Sequence, residues 1–128
     1  DGLLAGVVGH AGRIPSPFGA VILFQIDGAL NDLADDHSPA GNREAAYVLN
    51  ITASWEDPAA DRENRTWART TWEALKGYGT GGAYINFMTE DEGADRTRAA
   101  YGDATLARLA DLKRRYDPGN LFRHTKGF

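Results

Sequence analysis

Residues 46–55 read Ala46-Tyr47-Val48-Leu49-Asn50-Ile51-Thr52-Ala53-Ser54-Trp55. In a strand, successive side chains point to opposite faces. Tyr47, Leu49, Ile51 and Ala53 then form an apolar face, and Val48, Asn50, Thr52 and Ser54 a more polar one. Such a sheet packs helices on its apolar face, while the mixed face looks at solvent or a pocket. Upstream, residues 20–26 read AVILFQI and stop at Asp27-Gly28. A short, continuous apolar run of this kind reads as a strand buried on both faces.

The segments around the strands are punctuated by turn residues. Ile14-Pro15-Ser16-Pro17 is a loop, because each proline fixes φ and pushes its predecessor out of helix. Residues 31–42 are polar, contain Pro39 and Gly41, and read as a loop. After Trp55, Asp57-Pro58 opens a helix, since Asp caps well and Pro is tolerated in a first turn. The helix is predicted over about 59–76, with Trp67, Thr71, Trp72 and Leu75 at helical spacing. Gly77 and Gly79 stop it, and a short extended piece is predicted over 83–87. A last helix is predicted over about 104–116, with Asp103 as N-cap and Leu106, Leu109, Leu112 and Tyr116 near one stripe. Asp117-Pro118-Gly119 ends it. Strands and helices without βαβ alternation predict an α+β fold, a sheet covered by helices on one face.

Composition narrows the functional classes. The 128 residues suit a single domain. The 42% apolar and 25% charged content is that of an ordinary globular chain. No apolar run is long enough for a membrane span. A net charge of −4 argues against non-specific nucleic-acid binding. The absence of cysteine excludes disulfides and Cys nucleophiles within the chain and suits a reducing, cytoplasmic setting. Charge is uneven: residues 1–95 carry a net −9 and residues 96–128 a net +5. Either a basic helix packs beside an acidic body, or a basic tail faces a partner or phosphate. The chain starts at Asp1 with the glycine-rich run GLLAGVVGHAG at 2–12, which reads as a fragment or a processed chain.

Few residues form a recognisable chemical motif. His10, His37 and His124 are far apart and lack metal-ligand spacing, so no metal site is expected. Gly77, Gly79, Gly81 and Gly82 follow a helix rather than a strand, which is not the layout of a phosphate cradle. Asp35-Asp36 and Glu90-Asp91-Glu92 read as solvated loops. Asn50-Ile51-Thr52 and Asn64-Arg65-Thr66 match the glycosylation pattern but fall within predicted regular structure. The most suggestive local feature is Tyr84-Ile85-Asn86. In an extended piece, a phenol and an amide two residues apart share a face. They could serve proton transfer if a cation, a carboxylate relay or desolvated donors stood nearby. The plainer alternative is a half-buried tyrosine with its hydroxyl satisfied and an asparagine ending a strand.

The order of landmarks is more specific than any one of them. Trp55-Glu56-Asp57-Pro58 precedes a Trp-bearing helix and Tyr84-Ile85-Asn86-Phe87. Tyr101-Gly102, Arg108-Leu109, Leu112-Lys113 and Tyr116-Asp117-Pro118-Gly119-Asn120-Leu121-Phe122 follow. This resembles the C-terminal region of the berberine bridge enzyme-like FAD-linked oxidases, within the vanillyl-alcohol oxidase-type superfamily. The resemblance is close over 84–122, looser over 20–83 and weak before 20.

The resemblance implies part of a substrate domain: an antiparallel sheet backed by helices that roofs the flavin. It implies FAD held mainly by a domain outside this chain. Tyr84 matches the active-site tyrosine, Asn86 the nearby asparagine on the cofactor side, and Asn50 a polar pocket position flanked by Val48 and Thr52. Residues 1–95 would belong to the substrate-binding domain, and residues 96–128 would return toward the FAD-binding domain. The partners implied are that domain and a small-molecule alcohol, sugar or secondary metabolite, with no nucleic acid or membrane. Asn42-Arg43-Glu44 stands where relatives often carry a His-Arg pair. A second hypothesis is a non-catalytic module of the same ancestry, whose exposed apolar surface is covered by self-association.

Overall fold

The computed structural model describes residues 2–89 and 93–124. The chain forms two compact units. One comprises Asp1–Gln25 with Tyr47–Gly81, the other Ile26–Ala46 with Gly82–Phe128.

The first unit holds both expected strands. Strands β1 (Ala20–Gln25) and β2 (Tyr47–Thr52) pair antiparallel as a two-stranded sheet. Ala20 stands opposite Thr52, Ile22 opposite Asn50 and Phe24 opposite Val48. Directly opposed residues share a face. Ile22, Phe24, Val48, Asn50 and Thr52 therefore lie on one side, and Val21, Leu23, Leu49 and Ile51 on the other. Val21 and Leu23 are half-buried, whereas Ile22 and Phe24 are exposed. Helices α1 (Gly2–Ala11) and α2 (Asp61–Leu75) contact β1 and β2 respectively and cover the Val21–Leu23 side. Residues 20–26 are thus not a strand buried on both faces. A single helical layer covers only one side of a two-stranded sheet.

Helix α2 follows the expected signals. Asp57 Oδ1 accepts the Ala59 N–H at 2.9 Å and caps a 3-10 turn over Pro58–Ala60 that leads into the helix. Asn64, Trp67, Thr71 and Leu75 recur every three or four residues and are its buried stripe. Trp72 departs from that stripe. It is exposed and lies under the Lys76 ammonium, 4.8 Å from the ring centroid. Asn64 is buried and donates from Nδ2 to the Ala60 carbonyl at 3.0 Å, so the Asn64-Arg65-Thr66 sequence lies in a helix with its amide inaccessible to a glycan.

Helix α1 carries no sequence signature of its own, because three glycines make it a poor helix former. Packing supplies what propensity lacks. Gly2 and Gly6, one turn apart, face the same way. A Cβ at Gly2 would stand 2.8 Å from the Tyr78 hydroxyl, and one at Gly6 2.8 Å from Leu75 Cδ2. The missing side chains let α1 lie close against α2. Its last turn is tied down as well. Trp67 Nε1 donates to the His10 carbonyl at 3.0 Å. Thr71 Oγ1 donates to the Trp67 carbonyl at 2.8 Å and lies 3.1 Å from His10 Nδ1. With its one proton on the carbonyl, the hydroxyl accepts from Nδ1–H and selects that imidazole tautomer.

The second unit contains the 26–46 excursion, the segment from Gly82, and helices α3 (Ala94–Tyr101) and α4 (Asp103–Tyr116). Ile26 N–H donates to the Ala46 carbonyl at 2.9 Å and closes the neck of the excursion. Residues 96–128 hold two helical segments rather than one. Gly102 separates them with φ 74° and ψ 156°, a combination open to glycine and costly for other residues. Gly102, not Asp103, occupies the N-cap position of α4. Asp103 sits in the first turn and pairs with Arg98 at 2.8 Å. The covered face of α4 runs through Leu106, Leu109 and Lys113, while Leu112 and Tyr116 are exposed. The 3.6-residue turn carries Leu112 well away from Leu106, so the expected Leu112–Tyr116 end of the stripe does not form. The Glu90-Asp91-Glu92 cluster and residues 125–128 lie outside the described residues. No helix is long and apolar enough to cross a membrane among the described residues.

Candidate functional site

Residues 83–87 are not extended. Tyr84 is in the β region, and Ile85–Phe87 form a 3-10 turn. Phe87 N–H donates to the Tyr84 carbonyl at 2.9 Å, and Met88 N–H to the Ile85 carbonyl at 3.2 Å. The segment satisfies its backbone by closing on itself, and buried Met88 anchors its end.

The turn still brings the two expected side chains together. Asn86 Nδ2 donates to the Tyr84 phenol oxygen at 2.9 Å. The amide uses the oxygen as acceptor, which leaves the phenol's own proton available for donation. Phe87 meets the Tyr84 ring edge-on, with centroids 4.9 Å apart and planes at 81°. Both rings and Asn86 are exposed, Tyr84 at 47%. The result is a surface patch of two aromatic rings, a hydroxyl donor and an amide. Phe87 is the member that residue spacing did not single out.

Val48, Asn50 and Thr52 share the β2 face opposite Phe24, Ile22 and Ala20. All three are half-buried. Asn50 stands among apolar neighbours, Ile22 across the ladder and Val48 beside it. This is an apolar surface with one amide and one hydroxyl, the kind of lining that orients a small organic molecule. The strand face and the Tyr84 turn belong to different units.

The end of α4 serves structure. Asp117 receives Lys113 Nζ at 2.5 Å, Leu121 N–H at 2.7 Å and Phe122 N–H at 3.0 Å. Lys113 also donates to the Phe122 carbonyl. The groove lined by Lys113, Arg114, Asp117, Pro118 and Asn120 is therefore occupied by its own hydrogen bonds. The Lys113 ammonium, with the two backbone donors, holds the Asp117 carboxyl below the usual carboxylate range. A lowered folded value means that the stabilisation is complete above the ordinary value of about 3.9. It is lost as pH falls through the folded value. The Leu121 and Phe122 amide resonances are expected to titrate below that ordinary value. Lys113→Met should move their midpoint upward. An unmoved midpoint would show that Lys113 does not set it. Elsewhere, burial pushes the Tyr101 phenol upward. Among the described residues, no group of three His, Asp or Glu is placed to hold a metal ion.

Comparison with known proteins relates this helix-backed antiparallel sheet and its Tyr-x-Asn turn to the FAD-linked oxidoreductases. Residues 83–127 match the family model described as berberine and berberine like. Over those residues the chain is similar to the berberine-like region of the FAD-linked oxidoreductases. It is 39% identical over 97 residues to FAD-linked oxidoreductase OXR1 of Pyricularia oryzae, a match covering 70% of this chain and 18% of that protein. It is 25% identical over 131 residues to the aclacinomycin-N/aclacinomycin-A oxidase of Streptomyces galilaeus, covering 90% and 24%. The solved structure of wild-type BBE-like 1 from Physcomitrella patens superposes with a TM-score of 0.75 at 21% identity. That match covers 92% of this chain and 25% of the other. The chain thus spans about a fifth to a quarter of the length of these relatives.

Proposed function

We propose that this chain is the C-terminal, substrate-side part of an FAD-dependent oxidoreductase that takes a hydride from an alcohol, sugar or secondary-metabolite carbon. The observation that carries the reading is the exposed Asn86–Tyr84 hydrogen bond beside Phe87, within the stretch matched by the berberine-like family model. Bound flavin would supply the hydride acceptor, with O₂ as the final oxidant.

The chain's residues fit one side of such a site and not all of it. Two exposed rings, a phenol and an amide suit the substrate-side face of a flavin ring. A dinucleotide also needs a cradle for its phosphates, and the Gly77–82 stretch follows helix α2 and begins inside a 3-10 turn over Lys76–Tyr78, which is no such cradle. In this reading FAD is held mainly by another domain of a longer parent protein. Tyr84 orients the reacting hydroxyl and relays its proton, passing the phenol's own proton to an acceptor outside this chain as it receives the substrate's. Asn86 fixes the phenol oxygen and faces the cofactor. Asn50 hydrogen-bonds the substrate while Val48 and Thr52 shape the cavity wall. Residues 1–95 belong to the substrate domain, and the α3–α4 region and tail pack toward the FAD-binding domain. Holding the reacting carbon and excluding water are the protein's contributions, and the redox step belongs to the cofactor.

The exposed apolar side chains support a covering partner. Large hydrophobics including Tyr84, Phe87, Leu121 and Phe122 are exposed, an arrangement that marks interaction surfaces when it is contiguous. The test is an absorbance spectrum of the purified chain after incubation with FAD and desalting. No retained flavin band is expected. Addition of the parent's FAD-binding domain should restore flavin-dependent turnover. A band retained by the chain alone would overturn the division of labour.

A further inference from the structure

We propose that Gly41-Asn42-Arg43 is the positioning element for the Tyr84–Asn86 pair. The proposal rests on the functional reading above only in treating that pair as the reactive one. Three consecutive residues contact three different parts of the second unit. A Cβ at Gly41 would stand 3.3 Å from the Ala100 carbonyl, so glycine lets this segment lie close against α3. Arg43 is 8% exposed and grips the excursion. Its Nη1 donates to the Leu30 carbonyl at 2.9 Å and its Nη2 to Ser38 Oγ at 2.7 Å. Its own carbonyl accepts from Asn31 Nδ2 at 2.7 Å. The buried Nε lacks a hydrogen-bond partner, so the guanidinium is held by two of its three nitrogens.

Between these anchors, Asn42 adopts φ 60°, the left-handed region that Asn tolerates better than most residues. Its side-chain amide lies directly against Gly82, and a Cβ at Gly82 would overlap it. Gly82 is two residues before Tyr84. The backbone that launches the Tyr84–Asn86 turn is thus set against a residue fixed on both sides. Gly82 is not at positive φ, so its need for glycine comes from Asn42 and not from backbone conformation.

That distinction gives a compensation test. The five tyrosines can be replaced biosynthetically by 3-fluorotyrosine, and the Tyr84 ¹⁹F resonance identified by its loss in Tyr84→Phe. Gly82→Ala is expected to shift the Tyr84 resonance and leave those of Tyr47 and Tyr78 in place. Adding Asn42→Gly keeps the left-handed backbone, removes the amide and should return the Tyr84 resonance toward its original position. An unmoved Tyr84 resonance in Gly82→Ala overturns the proposal. So does a double variant that retains the full shift. If Gly82→Ala unfolds the chain, a folded spectrum in the double variant supports the proposal and an unfolded one overturns it. The spectrum does not depend on whether Tyr84 acts on a substrate. Loss of the catalytic reading would therefore appear in turnover of Tyr84→Phe and leave the ¹⁹F result standing.

Discussion

Tyr84→Phe is expected to lower kcat of the FAD-loaded parent protein by roughly 10²- to 10⁴-fold, the range associated with losing a positioned acid or base. The substitution is conservative in shape. It keeps the ring and its edge contact with Phe87, whose centroid is 4.9 Å away, so packing of the turn survives. It removes the hydroxyl that accepts from Asn86 at 2.9 Å and with it the proton that the phenol could deliver or relay. KM should move far less than kcat, because an interaction made mainly in the transition state is being removed. Asn86→Ala should be milder, a loss of up to about tenfold, since it deletes one neutral hydrogen bond and leaves the phenol in place. Unchanged turnover in Tyr84→Phe would show that the assignment of Tyr84 to the chemistry is wrong.

Leu75→Ala is expected to be the most damaging single core truncation in the first unit, at about 2–5 kcal/mol. Leu75 is 2% exposed and ends the buried stripe of α2. Its Cδ2 fills the space beside Gly6 that no side chain of α1 occupies. Truncation therefore leaves a hole that glycine cannot fill from the other side. Thermal unfolding should show a Tm lower by roughly 6–15 °C, given a few degrees per kcal/mol for a chain of this size. A Tm within about 2 °C of the parent would show that α1 does not depend on this contact.

The sequence was informative where structure is set locally. Alternation identified β2, and an apolar run bounded by Asp27-Gly28 identified β1. Asp57-Pro58 and the spacing of Trp67, Thr71, Trp72 and Leu75 located α2 to within two residues, although Trp72 lies off the buried stripe. Features that depend on distant contacts were not legible. Helix α1 has a weak pattern because its stability lies in Tyr78 and Leu75, far along the chain. Helix α3, ADRTRAAY, offers only alanines and a tyrosine as apolar residues, and Gly102 separates it from α4. The Tyr84 segment reads as extended from sequence because an i, i+2 pair of a phenol and an amide fits a strand face. The missing information is that, among the described residues, no strand pairs with it, so it turns. The phenol and amide still meet because Tyr84 stands before the turn and Asn86 within it. The role of Arg43 was also out of reach, since its partners Leu30 and Ser38 are chosen by the path of the whole excursion.

The bond between Trp67 and the His10 carbonyl also makes the molecule its own optical gauge. The chain has three tryptophans. Trp55 stacks near Arg65 and Trp72 near Lys76, while Trp67 is buried with its indole N–H engaged by the last turn of α1. Replacing Trp55 and Trp72 with phenylalanine would leave a single emitter at the seam between two helices. Its fluorescence would then follow the undocking of α1 in real time, without any attached dye.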